Sequence, residues 1–141
     1  MEFTINYTAI TIAVLSNFAL GWIWYGPLFG KIWAREMKID ISAHPDKSAM
    51  FKGMFFMVIG NFLMAYVLSN DIFVWLQFPG MQQLGKFSTA WMSAFFIWLG
   101  YYVPTHLGAT VWEKKSWTLT IINLVYHLLS LFVAAFLITY L

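Results

Sequence analysis

Apolar positions fall in four long stretches, and the charges are confined to the gaps between them. No charged side chain occurs for 28 residues between Glu2 and Lys31, for 18 from Gly53 to Asn70, for 26 between Lys86 and Glu113, or for 26 after Lys115. One helical crossing of a hydrocarbon core ~30 Å thick takes about 20 apolar residues. The pattern predicts an all-α, polytopic membrane protein: a four-transmembrane-helix bundle forming a single domain over residues 1–141. The expected helices run from about Ile5 to Phe29, Ala49 to Leu68, Phe87 to Thr110, and Trp117 to the C-terminus. The apolar run Ile72 to Phe78 is too short to span and is followed by Pro79-Gly80. It is expected on the outer membrane surface or folded over the helices, in a connection from Asp71 to Lys86.

Shorter patterns add detail. In residues 31–41, Lys31, Arg35 and Lys38 share one helical face, and Trp33, Met37 and Ile41 share another. That predicts a short interfacial helix after helix one, lying in the headgroup plane. Ser42 to Lys47, with His44-Pro45-Asp46, reads as a turn into helix two. Pro27 lacks a backbone donor and marks a kink or a helix end. Trp24-Tyr25-Gly26-Pro27 resembles Tyr101-Tyr102-Val103-Pro104, and Asn61 and Asn123 hold comparable places in helices two and four. This is the pattern of a degenerate parallel repeat, as in some transporters.

Charge orients the helices. Lys31, Arg35, Lys38, Lys47 and Lys52 flank the first connection, and Lys114 and Lys115 lie in the third, against Lys86 alone on the other side. Basic loops stay cytoplasmic, so both termini are expected outside the cytoplasm, in the cell membrane. Trp24, Trp33, Trp112 and Trp117 fall near the inner boundary, and Trp75 and Trp91 near the outer one, as interfacial anchors. The N-terminus lacks the basic region of a cleaved signal, so helix one is expected to be retained.

Composition narrows the chemistry. Apolar residues make up 61% of the chain and charged residues 10%, against about 25% charged in soluble domains. With no Cys, thiol chemistry, Cys-ligated zinc and iron–sulfur clusters are excluded. No phosphate loop or nucleic-acid surface is visible, so the expected partners are the lipid bilayer, a small-molecule or lipid ligand, and further copies of the chain in a homo-oligomer. No Asp or Glu falls within the expected spans, which counts against a proton-driven multidrug exporter.

The sharpest polar pattern is in helix four. Ser116, Thr120, Asn123, His127, Ser130 and Ala134 are spaced 4, 3, 4, 3, 4, which puts all six on one face. In lipid that face must turn inward. Helix three carries Ser93, Gly100, Pro104 and Gly108, a stripe of small residues suited to close helix packing. At 1.5 Å per residue, Asn17 and His127 lie about 15 to 18 Å from the inner boundary, Asn61 about 12 Å, and His106 and Asn123 about 9 Å. Tyr25, Tyr102 and Tyr126 are near the lower edge of this slab. Asn17, Asn61, His106, Asn123, His127, Tyr102 and Tyr126 are the candidate ligand-binding residues. No catalytic or metal-ligating set is assigned, and the cofactor is unknown.

The run Gly21-Trp22-Ile23-Trp24-Tyr25-Gly26-Pro27-Leu28-Phe29-Gly30-Lys31-Ile32-Trp33 resembles the signature of a domain-of-unknown-function family of small, mostly prokaryotic membrane proteins. Trp98-Leu99-Gly100, Trp112-Glu113-Lys114-Lys115, Ile122-Asn123 and Tyr126-His127 extend the resemblance over nearly the whole chain. It implies a four-helix membrane fold and no particular activity. The leading functional expectation is an integral membrane protein that binds or transports a small or lipid-like molecule through the polar slab. The alternatives are a structural or accessory membrane subunit, or a haem or metal protein using His106 and His127.

Overall fold

A computed structural model describes residues 4–40, 42 and 46–141. Ile41, His44 and Pro45, which belong to the expected interfacial helix and turn, lie outside the described residues. Helix α1 (Tyr7–Ile23) begins where the Asn6 side chain accepts a hydrogen bond from Ala9 N. It runs into a π-helical turn, Trp24–Leu28, that contains Pro27. Proline removes a donor and crowds the preceding turn; here the backbone widens so that Phe29 N reaches back five residues to Trp24 O at 2.9 Å. Gly30 then opens α2 (Gly30–Glu36), and a Cβ there would stand 2.6 Å from Tyr25 O. Only glycine lets the chain double back this tightly. α2 is shorter than the sequence predicts because Lys38 adopts a left-handed φ of 56° and Ile39 N closes the last turn on Ala34 O.

Asp46 caps α3 (Lys47–Leu76) by accepting from Ser48 N. Its 30 residues make a rod of about 45 Å. The expected end at Leu68 is wrong: Ser69-Asn70-Asp71 reads as a polar stop, but Asn70 Nδ2 donates to Tyr66 O within the helix. The apolar run after it therefore continues α3 instead of lying on a membrane surface. Asp71 consequently sits inside an apolar helix that is long enough to cross a membrane, which corrects the expectation that no acidic residue falls within a span.

The next arm is broken. α4 (Pro79–Ile97) is interrupted at Gly85, whose φ of 83° and ψ of 166° are not helical. A second π turn, Trp98–Tyr102, precedes α5 (Val103–Trp112), with Pro104 in its first turn. Finally, Ser116 caps α6 (Trp117–Tyr140), accepting from Leu119 N at 3.1 Å. Among the described residues there is no strand. Three segments, Tyr7–Leu28, Lys47–Leu76 and Trp117–Tyr140, are long and apolar enough to cross a membrane. The Pro79–Trp112 arm is not a fourth such helix, because its breaks leave α4 of 19 residues, opening on the polar Gln82, Gln83 and Lys86, and α5 of 10.

The arms nevertheless pack as one bundle. α3 and α6 touch each other, and α1 and α4 each pack on both. Ala9, Ala13, Ala65, Ala90, Ala94, Ala134 and Ala135 are all completely buried. These small residues let the backbones approach closely, which replaces hydrophobic burial as the source of helix association in lipid. The other end is looser. Every α3 residue from 47 to 60 is exposed, so this half of the helix stands off the bundle.

The helix-three stripe does not form one packed face. Ser93 is buried, but Gly100 and Pro104 are exposed, and a Cβ on Gly100 or Gly108 would meet nothing within 4 Å. The π turn inserts a residue and rotates everything after it, so the inward positions become Tyr102, His106 and Thr110.

Candidate functional site

The inward face of α6 organises the site. None of Ser116, Thr120, Asn123, His127, Ser130 and Ala134 is exposed, whereas Ile121, Val125, Leu129 and Phe136 on the opposite side are. Two tryptophans fasten this helix. Trp24 Nε1 donates to Ile122 O at 3.2 Å, and Trp98 Nε1 donates to Leu124 O at 2.8 Å. Trp24 is therefore a core residue, 8% exposed, and not the interfacial anchor that its place near a charged loop suggests. Both indoles lie in π turns, beside Pro27 and ahead of Pro104. The hydroxyls of Thr110 and Thr120 meet one turn below, tying α5 to α6.

Around His127 the rings form a continuous cluster. Its centroid lies 4.5 Å from Tyr102, 5.0 Å from His106 and 5.2 Å from Tyr126. Tyr126 stands edge-on to Tyr25 at 4.9 Å, and Tyr25 donates its hydroxyl proton to Asn123 Oδ1 at 2.9 Å. His106 Nδ1 is 2.9 Å from Tyr102 O. A carbonyl only accepts, so Nδ1 is the donor in this contact. Tyr126 also presses on α1, where a Cβ on Gly21 would come within 3.0 Å of its hydroxyl.

Three half-open cavities adjoin the cluster. One of about 250 Å³, between α3 and α6, is lined by Asn61, Tyr102, Tyr126, His127 and Ser130. A second of about 250 Å³ holds His106, Asn123 and Thr120, with Glu113 and Lys115 at its rim; those two pair at 2.7 Å. A third of about 490 Å³ is almost wholly apolar, walled by Phe18, Trp22, Tyr25, Trp33 and Met54. Met57 belongs to the wall of both the first and the third.

Six of the seven candidate residues thus meet around two cavities. Asn17 does not join them. It is fully buried, and neither atom of its amide has a hydrogen-bond partner. Asn61 reaches its cavity from the standing-off helix while its Nδ2 donates to Met57 O. Sequence reasoning read Trp24 as an anchor, because an indole near a loop has the same sequence signature whether it faces lipid or core, and it gave Trp98 no structural role. Beyond the membrane-like segments, the Ser116 hydroxyl, with Arg35 beside it, holds the Glu36 carboxyl below its usual range. This links α2 to the start of α6 at neutral pH.

A haem or metal centre on His106 and His127 is not what this geometry forms. Their rings meet edge to face at 5.0 Å, which leaves no space for a porphyrin between them. Among the described residues, no three His, Asp or Glu side chains converge.

The sequence model of the protein family of unknown function DUF1761 matches residues 8–139, so the chain belongs to that family. No curated protein and no solved structure matches the chain.

Proposed function

We propose that this member of the DUF1761 family is a four-helix transmembrane bundle that binds a small or lipid-like amphiphile in the cavities around His127, and moves it across or within the bilayer. The carrying observation is the shared wall at Met57: a polar cavity bearing Asn61, His127 and two tyrosines adjoins a larger apolar groove. A polar head in one and a chain in the other match an amphiphile. The exposed half of α3 supports sideways access from the lipid. Ligand sites of this kind are largely apolar with a few convergent polar groups.

In this reading the broken Pro79–Trp112 arm is the fourth crossing, its two pieces joined through the π turn. Both termini lie outside the cytoplasm in this reading, which the seven-to-one distribution of basic residues supports. Labelling of a cysteine at position 44 by an impermeant thiol reagent is expected only after the inner face is opened. Labelling from outside intact cells would refute this topology.

Native mass spectrometry from mild detergent tests the function. The expected spectrum shows a dimer carrying a bound amphiphile. The paired change His127→Phe and Asn61→Leu is expected to lower its occupancy at least fivefold. Equal occupancy in the variant, or no bound molecule in either, would overturn the reading in favour of an accessory subunit.

A further inference from the structure

The other side of Tyr102 holds a cavity with different chemistry. It is half-open, with a volume of about 410 Å³, and its lining includes Met64, Leu68, Ile97, Leu131, Tyr101 and Tyr102. Asp71 is the one charged group that lines it. Asp71 Oδ2 is buried without a hydrogen-bond partner, and so is Ser93 Oγ on the facing helix, where Ser93 is 0% exposed. Ser93 and Trp75 are the polar groups that bear on the carboxyl. No cation does: the ion pairs among the described residues are Arg35–Glu36 and Lys115–Glu113. Lys86, on the same arm as Ser93, instead lies over the Tyr140 ring at 5.6 Å.

A carboxyl in apolar surroundings either takes up a proton or gains a counter-charge, because a lone carboxylate there is costly. Here a counter-charge has room beside the carboxyl, next to two tyrosines, residues whose rings can attract cations, in a volume within the range of small-molecule sites. We propose that this cavity binds an apolar organic monocation, of the quaternary ammonium or phosphonium class, through the Asp71 carboxylate. Met64 and Tyr102 also line the cavity of Asn61 and His127, so the two sites share a wall along α3. The proposal deepens the transport reading and rests on it only in taking these cavities as open to ligand in the membrane.

The probe is radiolabelled tetraphenylphosphonium, in equilibrium dialysis against the full chain in lipid nanodiscs, with empty nanodiscs as the blank. Saturable binding of one cation per chain is expected. Asp71→Asn should weaken it at least tenfold, Asp71→Glu should retain it, and His127→Phe should leave it within twofold. A second measurement needs no variant: neutral triphenylphosphine oxide should fail to displace the bound cation at concentrations where unlabelled tetraphenylphosphonium does. Absence of saturable binding, equal binding by Asp71→Asn, or equal displacement by the neutral compound overturns the proposal. Loss of phosphonium binding beside an amphiphile that still depends on His127 would sink this site alone. The reverse result would sink the amphiphile reading alone.

Discussion

Trp24→Ala is expected to destabilise the bundle by about 3–5 kcal/mol, the range for deleting a buried tryptophan. Trp24 is 8% exposed, its ring lies 4.6 Å from Phe29 and 6.4 Å from Tyr126, and its N–H is bound to Ile122 O. Truncation opens a void at the π turn and unties α1 from α6 at the same time. Trp24→Phe separates the two effects. It keeps most of the ring packing and forfeits the hydrogen bond, an interaction worth about 0.6 kcal/mol on average between membrane helices. Reversible unfolding in mixed micelles, followed by far-ultraviolet circular dichroism, measures both. An alanine variant within about 1 kcal/mol of the parent would show that the indole is not a packing element.

Ala94→Leu is the second large effect. Ala94 is fully buried in a cluster where Ala13, Ala65, Ala90, Ala134 and Ala135 pack together with Ile10, Leu68, Ile72 and Leu131, so no room is left for a longer side chain. A branched side chain there must push α4 outward. Overpacking of a well-filled core costs about 1–3 kcal/mol, and this site lies towards the upper end because one displaced helix loosens its contacts with both α3 and α6. Val111→Leu, at a residue 64% exposed, is the control and should be silent. The readout is the detergent-melting temperature, with the oligomeric state checked by size-exclusion chromatography. Equal melting of the two variants would refute the close-packed seam.

The sequence made some of this legible and hid the rest for identifiable reasons. The inward stripe of α6 was readable because six residues at unbroken helical spacing have one face, and nothing interrupts that helix. The stripe from Ser93 to Gly108 misled because a periodic count assumes a constant turn, and the π turn ahead of Pro104 adds a residue. The extent of α3 was misjudged because Asp71 looks like a boundary in a charge map, whereas a carboxyl facing a serine on the next helix is compatible with a continuing span. Asn17 shares its depth with His127 but not its surroundings, and depth along one helix carries no information on direction around it. The Asp71 cavity was invisible in the sequence, since its walls come from three separate arms.

The position of α6 in the chain has a consequence for biogenesis. Trp24 and Trp98 both donate to carbonyls of a helix that is synthesised after them, and the inward faces of α1, α3 and α4 all close on that helix. During translation the earlier arms are made before their common partner exists, and their indole donors then lack these acceptors. The two indole bonds therefore close late, when α6 arrives. Until then, the contacts of α3 with α1 and α4 are the ones available, and the face that α6 covers stays open.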